Sequence, residues 1–552
     1  MQGRSLTQRR RPEKVTSLEL VGATLQIFAM SSYPQYVFLT NTSNSHELTS
    51  CLEEPVMQEP RIPFRFGNSY AEELPDFYVE SAPMAVQEPN LLQFNTALAD
   101  ELGLGVAELP SQDLAQIFSG QKLLAGSRPL AQAYAGHQFG GFSPQLGDGR
   151  GLLLGEVAGP DGRRRDIALK GSGRTAYSRG GDGKAAIGPV LREYLLGEAM
   201  HRLGIPTTRA LAAVATGESV YRENTLPGAI LTRVASSHIR IGTFQFFASQ
   251  QRWDQVRQLA DYAIERHYPH LSSDEDRYLL FLKAVSEAQA ALVANWMLIG
   301  FIHGVMNTDN MAISGETIDY GPCAYMEAFS TEAVFSSIDQ QGRYAYKNQP
   351  QMAQWNLTRF AETLLPLIDE DDPERAVPEV EAVLNDFTLH YEKRWLAGAQ
   401  AKLGLENSSS DIDSDKLLVN DWLNLLENYS VDYTLAWRRL ADAAEGNLEP
   451  LQALFPSSEV LADWLKRWHE RIAKQSANDS ASSMRAINPI YIPRNHLVED
   501  TLDAATNDAN LEPFEKLLAV LSHPFDERPE LASYTQPAPE NFTGRYKTFC
   551  GT

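Results

Sequence analysis

Asp309, Asn310 and Asp319 stand close together in the segment GFIHGVMNTDNMAISGETIDYGP (residues 300–322), and their types suit one kind of chemistry. Mg2+ takes hard oxygen ligands, usually one or two protein groups completed by substrate phosphates, and Asn310 with Asp319 supply such a pair. Asp309 is the carboxylate directly before Asn310, the nearest base if a hydroxyl must lose a proton here. A helix-capping Asp is the alternative reading of the same residue. His303 suits ordering of the loop better than reaction.

The spacing follows a kinase catalytic loop, H-R-D-L-x-x-x-N with D-F-G further on. His303 takes the His position, Asn310 the metal-holding Asn and Asp319, in DYG, the second ligand. The base position, two residues after the His, is Val305, which accepts no proton.

Upstream residues extend the comparison. Lys170 ends the apolar run DIALK as the strand lysine ends V-A-I-K, and Glu193 lies on the next helical segment, where it would fix the ammonium for a phosphate. Gly147, Gly149 and Gly151 precede an apolar run beside Arg150, a pattern that lets backbone N–H groups approach phosphates and serves equally as a ligand-free turn. The segment KGSGRTAYSRGGDGKAAIG sets Arg174, Arg179, Asp182, Gly183 and Lys184 in a glycine-rich loop that a typical kinase lacks. Arg233 and Arg240, seven residues apart, would share one helix face as a phosphate clamp; salt bridges to an acidic surface are the alternative.

The elements that must position these residues are partly readable. GLLLGEV and DIALK flank AGPDGRRR, whose Pro-Asp-Gly predicts a hairpin. IGPVLREYLLGEAMHRLG predicts a helix with Val190, Tyr194, Leu195, Ala199 and Leu203 as its apolar stripe and Gly204 as its stop. Strands are expected from IPTTRALAAVAT to GAILTRVA, and mostly helix from Thr243 to Lys474, with a charged loop at NSSSDIDSDK. NLLQFNTALADELGL reads as a further helix, and the tail from Ser482 as Pro-rich and irregular. The division is a flexible extension over 1–60, a hairpin-rich lobe over 61–242, a helical lobe over 243–480 and a tail over 481–552.

The composition, 43% hydrophobic and 22% charged over 552 residues, is that of a globular protein. A net charge of -23 argues against nucleic-acid binding, which needs a basic face. Within it lies a basic island: residues 150–240 hold 14 Lys or Arg against 8 Asp or Glu, which suits a small polyanion and equally a solvated patch. Three cysteines, Cys51, Cys323 and Cys550, exclude a disulfide scaffold or zinc site and point to a reducing compartment. The longest charge-free stretch, 288–308, carries Gln289, Asn295, His303 and Asn307, so it reads as a buried helix entering a loop rather than a membrane span. The Arg-rich start has no secretory core and is no clear transit peptide, which favours the cytoplasm.

The segments AYAGHQFGGFSPQLGDGRGLLLGEV, ALKGSGRTAYSRGGDGKAAIGPVLREYL, HGVMNTDNM, IDYGPCAYMEAF, NPIYIPRNH and GRYKTFCGT closely resemble the selenoprotein O family of protein adenylyltransferases. The resemblance runs from about residue 62 to the C-terminus. It implies an α+β, protein-kinase-like two-lobed fold in which ATP binds flipped, and AMP passes to a Ser, Thr or Tyr hydroxyl of a protein with loss of pyrophosphate. It places nucleotide contacts on Gly147, Gly149, Arg150, Lys170, Asp182, Gly183, Arg233, Arg240 and Asp319. The metal, Mg2+ or alternatively Mn2+, falls on Asn310 and Asp319, and the base on Asp309. The expected partners are ATP and protein acceptors, with no nucleic acid and no membrane, the chain acting as a monomer. Cys550 stands where animal members carry selenocysteine; a reversible Cys323–Cys550 disulfide is expected on one reading, free thiols on the other. A γ-phosphate kinase and an inert nucleotide-binding module remain as alternatives.

Overall fold

A computed structural model describes residues 64–406, 411–474 and 480–549. The expected flexible extension, Cys51, Cys550 and the NSSS stretch (407–410) lie outside the described residues.

The sheet-rich part is built on strands β1 (Tyr78–Glu80), β2 (Asn90–Phe94), β3 (Leu130–Gln132), β4 (Gly136–Gln138), β5 (Gly141–Ser143), β6 (Gly151–Ala158), β7 (Arg164–Lys170), β8 (Ala185–Ala186), β9 (Arg209–Tyr221) and β10 (Thr225–Ala235). The main sheet runs β1-β3-β6-β7-β10-β9-β2, with β8 beside β10 and β4–β5 as a separate small hairpin. The Pro-Asp-Gly hairpin forms as expected, β6 pairing β7 antiparallel from Gly151 opposite Lys170 to Ala158 opposite Arg164.

Strand alternation decides which side chains meet. Ile167 and Leu169 of β7, Ile230 and Val234 of β10 and Leu211 and Val214 of β9 face one apolar layer with Leu98 and Phe118. Ala168 and Leu231 face the opposite layer, against the Ile187–Arg202 helix. Asp166 and Lys170, two residues either side of Ala168, therefore share the helix-facing side, and Arg233, opposite Ala168, shares it too.

The helical part begins with Ile241–Ala248 and includes Trp253–His267, Arg277–Leu298, Gln349–Ile368 and Val377–Lys402. Arg277–Leu298 is buried along most of its length and runs into the 300–322 segment, whose β11 (Phe301–Ile302) pairs with β12 (Ala324–Tyr325). No described helix is long and apolar enough to cross a membrane.

Three local readings are corrected. NLLQFNTALADELGL is not one helix: Asn90–Phe94 is recruited as an edge strand against β9, Asn95 caps by accepting from the Leu98 amide (3.1 Å), and only Thr96–Glu101 is helical. DIDSDK is not loop but the start of the Ile412–Asn428 helix. The tail is not irregular, since Asn495–Asn507 and Glu512–Leu521 are helices. Its prolines mislead because Pro513 and Pro529 occupy first-turn positions, where the missing N–H costs nothing.

Candidate functional site

Eleven residues singled out from sequence line one cleft of about 460 Å3: Gly147, Gly149, Arg150, Lys170, Asp182, Gly183, Arg233, Arg240, Asp309, Asn310 and Asp319; Arg174 and His303 do not line it. At its floor three cations converge on one carboxylate. Lys170 lies 2.6 Å from Asp319 Oδ1, Arg233 Nη1 2.8 Å from the same oxygen, and Arg240 Nη1 2.7 Å from Oδ2. Lys170 is also paired with Glu193, which accepts from Arg233 as well (3.2 Å). Burial works to raise Asp319, but Lys170, Arg240 and Arg233 together outweigh it and hold the carboxyl well below its usual range. Asp319 itself takes φ +65°, a conformation uncommon for a non-glycine residue.

The two arginines do not share a helix. Arg233 is on β10 and Arg240 is the residue preceding the Ile241–Ala248 helix, so the convergence is made by a strand and a helix entrance rather than by helical periodicity. Behind Arg233, His238 Nε2 accepts from Arg233 Nε (3.2 Å) while Nδ1 donates to Asp166 (3.2 Å). Burial lowers the His238 pKa, which keeps the ring in the neutral form these bonds require.

Asp309 is different in kind. Gln138 Nε2 donates to its Oδ2 (3.2 Å), and its Oδ1 is buried with no hydrogen-bond partner. Burial pushes its carboxyl up to about 6, with Arg240 opposing. Its backbone carbonyl accepts from Arg240, so the cation fixes the loop without pairing the carboxylate. Asn310 commits its amide N–H to the Val305 carbonyl (2.9 Å), which leaves Oδ1 available as an acceptor. Val305 is buried, and His303 Nε2 donates to the Ile318 carbonyl (3.0 Å), a loop-ordering bond.

The donor set suits a divalent cation completed by its substrate. Among the described residues no cluster of three or more His, Cys, Asp or Glu side chains is placed to hold a metal alone. One amide oxygen and one carboxylate are what a phosphate-completed Mg2+ uses.

The upper wall has its own logic. A Cβ at Gly147 (φ +69°) would fall inside the Tyr177 ring, and one at Gly149 would press on the Tyr177 carbonyl, so these glycines admit the 171–184 loop. Asp182 accepts a bidentate pair from Arg222 (2.8 and 3.0 Å) and is thereby spent on holding that loop. Arg150 and Arg179 line the cleft with no ion pair among the described residues, leaving two guanidinium groups for an anion.

Sequence reasoning missed several participants. Tyr134 lies under Arg240, its ring 5.0 Å from the guanidinium carbon. Arg192 donates to the Gly321 carbonyl (3.0 Å) and the Cys323 carbonyl (2.5 Å), tying the segment after Asp319 to the Glu193 helix. The β4–β5 hairpin is bonded to the loop that carries Asp309: the His137 amide donates to Thr308 Oγ1 (2.7 Å) and the Phe139 amide to Asn307 Oδ1 (3.1 Å). Such non-local contacts leave no periodicity to read.

Comparison with known proteins identifies the family. Residues 60–522 match the family model described as protein adenylyltransferase SelO. A protein nucleotidyltransferase YdiU of Chromobacterium violaceum is 58% identical over 481 residues, 87% of this chain and 100% of that protein. Its counterpart in Cereibacter sphaeroides is 59% identical over 492 residues, 89% of this chain and all of the relative. That of Rhizobium etli is 53% identical over 509 residues, 92% of this chain and all of the relative. The chain belongs to the SelO family of protein adenylyltransferases.

Proposed function

We propose that this chain transfers AMP from ATP to Ser, Thr or Tyr hydroxyls of proteins, with Mg2+ (Mn2+ as the alternative ion) held by Asn310 and Asp319. The observation that carries the reading is the unpartnered Oδ1 of Asp309 in a cleft otherwise dominated by cations. A carboxyl near 6 is a carboxylate at neutral pH and basic enough to take a hydroxyl proton.

In the proposed reaction the acceptor oxygen bonds to the α-phosphorus, the bond to the β-bridging oxygen breaks, pyrophosphate leaves and the hydroxyl proton passes to Asp309. Lys170, Arg233 and Arg240 neutralise phosphate charge, and Arg150 and Arg179 meet the anion from the upper wall. Mg2+, when bound by Asn310 and Asp319, would supply further neutralisation of phosphate charge. Fixed cations in a walled cleft stabilise developing charge without reorganising, which is where such reactions gain most. Val305 is no obstacle, because the base sits four residues later.

A kinase-like two-lobed scaffold, with lobes at 61–242 and 243–480 and a tail at 481–552, belongs to the same proposal. So do action as a monomer in the cytoplasm, the absence of nucleic-acid or membrane partners and redox control through Cys550. The strand lysine paired with a helix glutamate supports the scaffold. The net charge supports protein rather than nucleic-acid partners.

The test is label transfer with Mg2+ and ATP labelled at the α- or γ-phosphate, beside Asp309→Ala and Asp319→Ala. α-Label on protein, lost in both variants, is expected. γ-Label alone would make the chain a kinase.

A further inference from the structure

The β4–β5 hairpin does more than brace the catalytic loop. Phe139 stands in its turn and Phe142 on β5, 37% and 42% exposed, and Ile338, which also lines the cleft, is 54% exposed. Phe139 and Ile338 both line the cleft that holds Asp309. The rings form a shelf of two sets bridged by Arg343: Phe142 to His137 at 4.9 Å and His137 to Trp355 at 5.4 Å, and Phe139 to Tyr344 at 5.2 Å between centroids, with the Arg343 guanidinium 4.7 Å from the Trp355 ring and 5.7 Å from that of Tyr344. Asn307 Oδ1 accepts both from the Phe139 amide and from the Tyr344 hydroxyl (2.7 Å), so the shelf is pinned two residues from Asp309.

Charge adds a second observation. Arg343 stands over Trp355 at 4.7 Å, close to the Gly140 backbone, and has no ion pair among the described residues of a protein with net charge -23. Its buried Nε has no hydrogen-bond partner. Arg359, also near the Trp355 ring at 5.2 Å, is by contrast paired with Glu362. Beyond Trp355 an open groove of about 530 Å3 continues between the Gln349–Ile368 and Val377–Lys402 helices, lined by Gln354, Thr358, Glu381, Leu384 and Asn385.

We infer that this shelf is the docking site for the acceptor: an extended protein segment whose hydroxyl residue enters beside Asp309. An apolar neighbour of that residue packs between Phe139, Phe142 and Ile338, and an acidic side chain further along pairs with Arg343. The inference rests on the proposed transfer activity and names what that activity selects. Exposed aromatic rings at a cleft mouth offer large contact area at low conformational cost. An unpaired guanidinium on an acidic protein attracts the opposite charge and repels basic segments.

The test uses the full chain, α-labelled ATP with Mg2+, and a degenerate peptide library with a central Ser, Thr or Tyr and one flanking position fixed at a time. Binding of ATP to each variant is measured in parallel. The wild type should favour Asp or Glu at one fixed offset over Lys by roughly fivefold, the scale of one exposed charge pair. Arg343→Glu should invert that preference and Arg343→Gln abolish it, both binding ATP as the wild type does. Phe142→Ala should raise KM for apolar-flanked peptides about tenfold with little change in kcat. An acidic preference unchanged in Arg343→Glu would overturn the inference. So would labelling of whole folded proteins, or of a second copy of the chain, with no peptide labelled. Absence of label from every acceptor, with ATP still bound, would instead overturn the transfer activity itself.

Discussion

Gly136 lies so close beneath Asp309 that a Cβ at position 136 would stand 2.5 Å from Asp309 Oδ1 and 3.0 Å from its Cβ and Cγ. The oxygen so crowded is the one without a hydrogen-bond partner. The hairpin thus fixes the candidate base by steric fit on one side and by the Gln138 bond on the other. Gly136→Ala should displace the carboxylate by a fraction of an ångström to an ångström and lower AMP transfer by about 10²-fold, the scale of such misplacements. ATP affinity, measured by calorimetry, should hold within about twofold, because Gly136 does not line the cleft. A variant that transfers AMP normally would show that Asp309 is not the base.

An unpaired buried carboxylate should cost stability. Asp309 is raised in the folded state, so its ionised form is disfavoured by folding. Stability is unaffected below the unfolded pKa near 4 and falls as pH rises through the folded value of about 6. Asp309→Asn removes that penalty, about 3 kcal/mol at most from a shift of roughly two units. The variant should have a higher Tm than the parent at pH 8 and an equal one at pH 4, while losing transfer by on the order of 10²-fold or more. For the parent, transfer should rise with pH through about 6.

Asp319 has the opposite sign. It is the common partner of Lys170, Arg233 and Arg240, and Glu193 is the remaining carboxylate among them. Asp319→Asn leaves buried cations facing one another and should destabilise the chain by about 3–5 kcal/mol, the cost of breaking buried ion pairs. ATP without metal would then replace the lost negative charge. Thermal melts with and without metal-free ATP should show a larger upward Tm shift in Asp319→Asn than in the parent. An equal shift in both would mean that the triphosphate does not meet these cations.

Much of this site was legible because its signals are local. Pro-Asp-Gly between two apolar runs specifies the β6–β7 hairpin, and alternation then puts Lys170 and Asp166 on one face. The 300–322 segment is read from residue types at fixed offsets. Arg233 and Arg240 were legible as a pair but on the wrong ground, a shared helix face, since their common target depends on where β10 ends and the next helix begins. The β4–β5 hairpin was missed for a related reason. Its strands are three residues long and gain their place from Asn307 and Thr308, some 170 residues away, rather than from any pattern of their own. Gly147 and Gly149 read as a phosphate loop, yet their steric partner is Tyr177 in the next loop.

Cys323 is fully buried, its thiol donating to the Tyr320 carbonyl (3.2 Å), and burial pushes that thiol up to about 11 although Arg192 opposes. Thiolate is the reactive form, so at pH 8 on the order of one in 10³ molecules is poised to react even when reached. Access is also restricted. Thr548 donates its hydroxyl to the Pro322 carbonyl (2.5 Å) and its amide to the Phe335 carbonyl (2.9 Å), while the Ser337 amide donates back to the Thr548 carbonyl (2.9 Å), so the segment around Thr548 is tied over the one that follows Asp319 and roofs it. A disulfide from Cys323 to Cys550 would have to form through an opening of this roof. In a Cys51→Ser, Cys550→Ser background, maleimide at pH 8 should leave Cys323 of the native protein unmodified for hours and label it within minutes in denaturant. Thr548→Val removes one roof bond at nearly constant volume and should speed native labelling several-fold. In the chain with its cysteines intact, the same substitution should speed disulfide formation under oxidant by a similar factor. Labelling as fast in the native state as in denaturant would show that the tail does not cover Cys323, and would leave the thiol free to act as a redox sensor without any movement of the segment around Thr548.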